Sequence, residues 1–251
     1  MVNKLILGNN EHIIKEWKEK IIDCTITSPP YNKGENKNSG QITKAVIYDS
    51  LIDSIPEDHY QNNQVIILNL IHDITKDGGH CFYNHKVRYI DGNAISPFAW
   101  LSKTKWTIRQ EIVWDRIIAS NIRGWRFWNV DERIYWLYKP KHLNDRGEEL
   151  NSHFAKMTSI WRFKPEGGVK EHPAPFPIEL PTNIIKSLYT ENSHKLIFDP
   201  YVGSGTTSIA AKALGHDYLG IDISMDYIKL AEKRLSETSY EDCRLSTLFG
   251  E

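Results

Sequence analysis

Short apolar runs alternate with amphipathic stretches along most of the chain. Residues 4–7, 21–27, 80–83, 106–114, 133–138, 196–199 and 218–221 read as strands. Between them, apolar residues recur at helical spacing over 10–20, 58–76, 91–101, 178–189, 206–214 and 225–235. Asn9, directly after Gly8, suits the N-cap of the first helix. Asp77, Gly78 and Gly79 predict a turn into the 80–83 strand. Strands alternating with helices predict an α/β protein with a doubly wound, mostly parallel sheet, its ligands at the carboxyl ends of the strands.

Two of those strand ends carry candidate chemistry. The strand 196–199 ends in Asp199 and runs through Pro200 into a turn with Gly203, Ser204 and Gly205, after which Thr206 opens a helix. A glycine turn into a helix N-terminus points backbone N–H groups and the positive end of a dipole at one spot. The next strand ends in Asp222, an acidic residue placed to hold the two hydroxyls of a ribose. A dinucleotide fingerprint would need glycine where Ser208 stands, and a phosphate-binding loop would need a lysine after Gly205. Asp199 also disfavours a pyrophosphate. A ligand with a ribose and an ammonium-carboxylate group fits better, which points to S-adenosylmethionine; a ligand-free tight turn is the plainer reading of the glycines alone.

The strand 21–27 empties into Ser28-Pro29-Pro30-Tyr31. Paired prolines fix the backbone and remove two donors, so their carbonyls are held ready to accept. A hydroxyl before them and an aromatic face after them suit a planar base held by its exocyclic amine. Ser28-Pro29-Pro30-Tyr31 together with the Asp199–Thr207 stretch (Asp-Pro-x-x-Gly-Ser-Gly-Thr-Thr) resembles the DNA amino-methyltransferases that modify cytosine N4 or adenine N6, and the motif order resembles their permuted beta group. The resemblance implies a Rossmann-like methyltransferase fold, S-adenosylmethionine as cofactor, and a base flipped out of double-stranded DNA. Ser28 and Pro29 would then accept from the amine and Tyr31 would stack on the base. Asp199, Pro200, Gly203, Ser204, Gly205, Thr206, Asp222 and Phe176 would line the cofactor. Asn9 and Asn10 depart from the aspartate common after the first glycine. Serine at position 28, rather than a carboxylate or carboxamide, favours cytosine N4 over adenine N6; its hydroxyl can accept, and can also donate to the cytosine ring.

Composition narrows the setting. A hydrophobic share of 40% and a charged share of 25% describe an ordinary globular chain large enough for one core. The expected organisation is a single domain, with a catalytic half over 1–114, a target-recognition insertion over 115–170 and a cofactor half over 171–251. No apolar run has the length of a membrane span, no leader pattern is evident, and three cysteines without paired spacing favour neither disulfides nor zinc. A cytoplasmic protein is expected. His72, His80 and His85 read as surface or supporting residues, since no acidic or cysteine partner completes a metal set. Net charge is −1, so DNA contact requires a local basic face. Arg116, Arg123 and Arg126, interleaved with tryptophans, are candidates for it, as are Lys33 and Lys37 in the polar loop 33–44. A homodimer and a cognate restriction endonuclease are compatible partners. A non-catalytic DNA-binding relative would not need both motifs, and a protein glutamine methyltransferase would open the proline turn with asparagine and place it after the cofactor motif.

Overall fold

The computed structural model describes residues 2–32, 55–120, 122–151, 154–165 and 176–238; the loop 33–44, with Lys33 and Lys37, lies outside them. Strands β1 (Lys4–Leu7), β2 (Ile22–Thr27), β3 (Thr75–His85), β6 (Thr107–Ser120), β7 (Asn129–Tyr138), β8 (Ile160–Arg162), β9 (Leu196–Asp199) and β10 (Asp217–Asp222) form one sheet. Their order is β1-β10-β9-β2-β3-β7-β6-β8. All neighbours are parallel except β7, which runs antiparallel to both β3 and β6.

Alternation along the strands divides the core in two. Cys81, Tyr83, Tyr135, Leu137 and Phe198 face one side, where α1 (Asn10–Glu16), α2 (Glu57–Ile74) and α3 (Phe98–Leu101) cover them. Cys24, Ile26, Phe82, Ile134, Trp136 and Ile197 face the other, beneath α4 (Glu179–Leu188) and α5 (Thr206–Ala213). Helix α6 (Met225–Glu237) packs against α5 and β1. Helices on both faces of a mostly parallel sheet give the doubly wound architecture expected.

Several boundaries differ, each for a local reason. Helix α1 stops at Glu16, because Trp17 turns extended and lays its ring edge-on against Phe198, 5.7 Å away. Asp77–Gly79 does not precede a strand but lies inside β3, where Gly78 adopts φ 84° and the register against β2 shifts. The helix expected over 91–101 is instead a hairpin, β4 (Arg88–Ile90) and β5 (Asn93–Ile95), followed by the single turn α3. Asp91 and Gly92 join its strands at φ 48° and 79°, the conformation a two-residue hairpin turn demands. The segment 115–170 is not set apart from the sheet, since β7, β8 and the end of β6 belong to it. Within it, the β6–β7 tip and the described residues between β7 and β8 lie outside the sheet's strands.

Candidate active site

The two motifs meet at the middle of the sheet, because β2 and β9 are neighbours. Thr27, the last residue of β2, donates to Asp199 Oδ1 at 2.8 Å across 172 positions of sequence. The Tyr201 N–H donates to the same oxygen at 3.0 Å, and Thr207 Oγ1 lies 3.0 Å from Oδ2 and 3.2 Å from the Ile26 carbonyl. Asp199 is only 1% exposed, and burial pushes its carboxyl up to about 7 against the pull of these hydrogen bonds. Asp199 thus knots β9, β2 and α5 together beneath the turn.

Asp222 closes β10 with a different environment. Its oxygens accept the Gly203 N–H at 2.8 Å and the Ser224 N–H at 2.9 Å, and burial raises its carboxyl above the ordinary range. The Ile223 N–H is a third backbone donor to it, and a carboxylate with about four acceptor sites still has room for a diol hydroxyl. Leu7, paired with Asp222 in register, and Ile223 and Met225 beside it are all exposed apolar side chains. That set fits a nucleoside, with hydroxyls on the carboxylate and a flat base against the apolar groups; periodicity alone did not mark these three residues, because exposure of an apolar strand end is a tertiary fact. Gly205 caps α5 at φ 85°, where a side chain would meet Ala231 of α6 at 2.8 Å. The hydroxyls of Ser204 and Thr206 face Arg234 of α6, at 2.8 and 3.4 Å. The Pro200 carbonyl accepts from Asn10 at 3.0 Å, and Asn9 caps α1 through the His12 N–H. Phe176 is partly buried against the α4 side of the core.

Ser28, Pro29, Pro30 and Tyr31 leave the carboxyl end of β2, and a polar network holds them. Ser28 Oγ lies 2.8 Å from Tyr31 Oη, which donates to Glu132 Oε2 at 2.9 Å. Asn84 Nδ2 donates to Tyr31 Oη at 2.8 Å, to Glu132 Oε2 at 3.0 Å and to Ser28 Oγ at 3.3 Å. Glu132 can only accept and Tyr31 has one hydrogen, so the Ser28 hydrogen points to Tyr31. What Ser28 offers outward is a lone pair. Donation to a cytosine ring, expected from the residue type alone, requires this hydroxyl to turn away from Tyr31. Burial lifts the Tyr31 phenol well above its usual value, and the Glu132 charge adds to the effect. The Tyr31 ring rests on His85, with centroids 4.5 Å apart, and Tyr60 Oη donates to the Pro30 carbonyl at 2.8 Å. Asn84, Glu132 and Tyr60 were not foreseen, whereas His85, expected as a surface or supporting residue, supports the Tyr31 ring. Strand pairing of β2, β3 and β7 brings Asn84 and Glu132 beneath the turn after β2, and Tyr60 reaches it from α2, packed against the sheet. His80 and His85 are buried rather than at the surface, with Trp136 donating to His80 at 3.1 Å.

The basic candidates fall apart into two groups. Arg116 is an ion-pair partner of Glu132 at 3.1 Å, at the edge of the Ser28 network. Arg123 and Arg126 sit in the β6–β7 tip, where Arg126 lies over the rings of Tyr89 and Trp125 at 4.5 and 5.7 Å. The same tip exposes Ile118, Ile122, Trp125 and Trp128, and Phe127 is 98% exposed. Asp115 bends the chain into it by accepting the Ile117 N–H at 2.8 Å, leaving Ile117 at φ 68°. Arg133 is ion-paired with Asp131 and Glu111, and Trp136 and Trp161 are buried, which takes them away from the contact surface, whereas Arg162 pairs with Asp115 and stays exposed.

Comparison with known proteins agrees with this geometry. The profile of the family N6_N4_Mtase, described as DNA methylase, matches residues 22–233. Type II methyltransferase M2.DpnII of Streptococcus pneumoniae is 30% identical over 250 residues, covering 93% of this chain and 90% of its own length. Type II methyltransferase M2.LlaDCHI of Lactococcus lactis subsp. cremoris is 29% identical over 247 residues, covering 93% and 89%. Among solved structures, PvuII DNA methyltransferase (cytosine-N4-specific) superposes with a TM-score of 0.75 at 15% identity, over 97% of this chain and 90% of that one. The M1.HpyAVI–SAM complex gives 0.65 at 19% identity, over 92% and 98%. Two motifs brought to adjacent strand ends, on a fold shared with methyltransferases and under a profile spanning most of the chain, lead to one conclusion: this chain belongs to the N6_N4_Mtase family of DNA methylases and is a DNA methyltransferase.

Proposed function

We propose that the enzyme moves a methyl group from S-adenosylmethionine to the exocyclic amine of a base flipped out of double-stranded DNA, with cytosine N4 as the acceptor. Transfer to an exocyclic amine is supported by Ser28, held at the carboxyl end of β2 by the Tyr31–Glu132–Asn84 network; cytosine rather than adenine is supported by serine, in place of a carboxylate or carboxamide, at position 28. An amine conjugated with its ring is a poor nucleophile. Hydrogen bonds from it to Ser28 Oγ and the Pro29 carbonyl favour a pyramidal nitrogen, whose own pair can then attack, and Tyr31 stacks on the base. Asp222 holds the ribose hydroxyls, with Leu7, Ile223 and Met225 against the adenine; Asp199 braces the turn at the methionine end. The cofactor supplies an activated methyl group, and the protein supplies alignment and a dry site.

Arg123, Arg126 and the exposed aromatics of the β6–β7 tip are the DNA-facing surface; Lys33 and Lys37, outside the described residues, are further DNA contacts by their charge. The enzyme acts in the cytoplasm, where its substrate is, and a restriction endonuclease reading the same site is its functional counterpart, as the type II naming of its relatives implies. Nucleoside analysis of DNA from cells expressing the protein tests the assignment: N4-methylcytosine is expected, without N6-methyladenine. An acceptor-only Ser28 also serves an adenine amine, so finding N6-methyladenine alone moves the assignment to adenine N6, with fold and reaction class unchanged.

A further inference from the structure

We infer that Glu132 is the terminal acceptor of the proton released by the base amine, reached through the hydroxyls of Ser28 and Tyr31. The inference rests on the placement of the amine at Ser28 proposed above. The path is continuous: Ser28 Oγ to Tyr31 Oη is 2.8 Å, and Tyr31 Oη to Glu132 Oε2 is 2.9 Å. It also has one direction, since a carboxylate at its end turns every hydrogen toward itself and leaves the first oxygen open to the base. Asn84, 2% exposed, donates to all three oxygens and keeps them in line.

The groups packed around Glu132 leave it as the acceptor. Tyr31 comes from the turn after β2, Asn84 from β3 and Arg116 from β6, with Arg116 Nη1 3.1 Å from Oε1. Beyond Tyr31 stand His85 and Lys86. Both nitrogens of His85 are engaged, by Tyr60 Oη and the Lys86 carbonyl at 2.7 Å each. The Lys86 ammonium lies over the Tyr31 ring, 5.6 Å from its centre, and has no proton to accept. The burial that makes the Tyr31 phenol hard to ionise suits a relay in which it receives one proton as it gives another.

The balance closes on these residues. The amine nitrogen forms its bond to the methyl carbon while the bond from that carbon to sulfur breaks, both electrons staying on sulfur. The nitrogen then holds one proton too many. That proton passes to Ser28 Oγ as the Ser28 proton passes to Tyr31 and the Tyr31 proton to Glu132, leaving a neutral methylated amine and a neutral Glu132. Solvent resets the acid when the site opens.

The experiment is single-turnover transfer with excess enzyme, tritiated S-adenosylmethionine and unmethylated plasmid DNA. Glu132→Gln is expected to slow transfer roughly 100-fold and to flatten the acid limb of the pH profile. Tyr31→Phe, which keeps the ring and removes the relay oxygen, should show the same flattening. Melting temperature and cofactor affinity should stay those of the wild type. A readout independent of turnover is the ¹⁹F spectrum of protein carrying 3-fluorotyrosine, with the Tyr31 signal assigned by its loss in Tyr31→Phe. In Glu132→Gln that phenol should ionise at lower pH, because its negative neighbour is gone. Wild-type rate and profile in Glu132→Gln, beside a slow Ser28→Ala, overturn the relay and leave the amine at Ser28. Wild-type rates in both overturn that placement too. If Glu132→Gln loses melting temperature and cofactor affinity along with rate, Glu132 is a brace and the inference fails.

Discussion

Asp199 and Asp222 end neighbouring strands, yet their surroundings give them opposite tasks. Thr207 has one hydrogen and two acceptors within reach, the Ile26 carbonyl and Asp199 Oδ2. A proton on Oδ2 resolves the conflict, which agrees with a carboxyl raised to about 7. A group bound more tightly to its proton in the folded state stabilises the fold fully below its unfolded value of 3.8, and that stabilisation is lost as pH rises through about 7. Asp199→Asn should therefore fold, since its amide can take the place of the protonated oxygen. Its melting temperature should fall less than the wild type's between pH 5 and 8, as read by scanning calorimetry; parallel pH curves would contradict a protonated Asp199. Asp222 ends β10 beside the exposed apolar groups of Leu7, Ile223 and Met225, and Asp222→Ala should weaken S-adenosylmethionine binding by roughly 1.5–3 kcal/mol in titration calorimetry. Wild-type affinity there removes it from the ribose site.

Elements decide what each residue can reach. Gly205 is the contact between the turn after β9 and α6, with Ala231 at 2.8 Å from where a side chain would begin. Gly205→Ala combines that collision with a φ of 85° and should cost about 1–3 kcal/mol of stability in chemical denaturation. A loss under a few tenths would show that α6 yields freely. The β6–β7 tip behaves oppositely. Phe127 is 98% exposed and, among the described residues, Arg123 bonds only the Ile122 carbonyl, so changes at these two should leave the melting temperature alone. Arg123→Ala and Arg126→Ala should each flatten the slope of log DNA affinity against log salt by about one unit, measured by anisotropy, whereas an unchanged slope in both would make them ordinary surface charge. Sequence patterning read these elements correctly where an apolar period was long, as in α2 and α4. It failed at 91–101, where Ala94, Ile95, Phe98 and Leu101 imitate helical spacing while Asp91-Gly92 carried a hairpin signal that was there to be read.

At the scale of the molecule, the adjacency of β2 and β9 joins the two functional stretches, so occupying the site should tighten the whole sheet. S-adenosylmethionine at a hundred times its dissociation constant should stabilise the fold by about 2.7 kcal/mol, and Asp222→Ala should lose most of the resulting rise in melting temperature at the same concentration. Absence of any rise in the wild type would deny that these strand ends hold the ligand. The sequence by itself determined the alternation of strands and helices, the glycine turn after Asp199 and the serine-proline-proline-tyrosine turn after Thr27, because these depend on backbone preferences and on periods of a few residues. Only the tertiary structure decided what stands beneath those turns. Glu132 lies 101 positions from Tyr31 and Asn84 lies 53, and no local rule couples such distances. Strand order and antiparallel pairing of β7 place the carboxylate where it sets the direction of every hydrogen bond around Ser28, and the same burial that hides these groups from sequence reading gives their hydrogen bonds their strength.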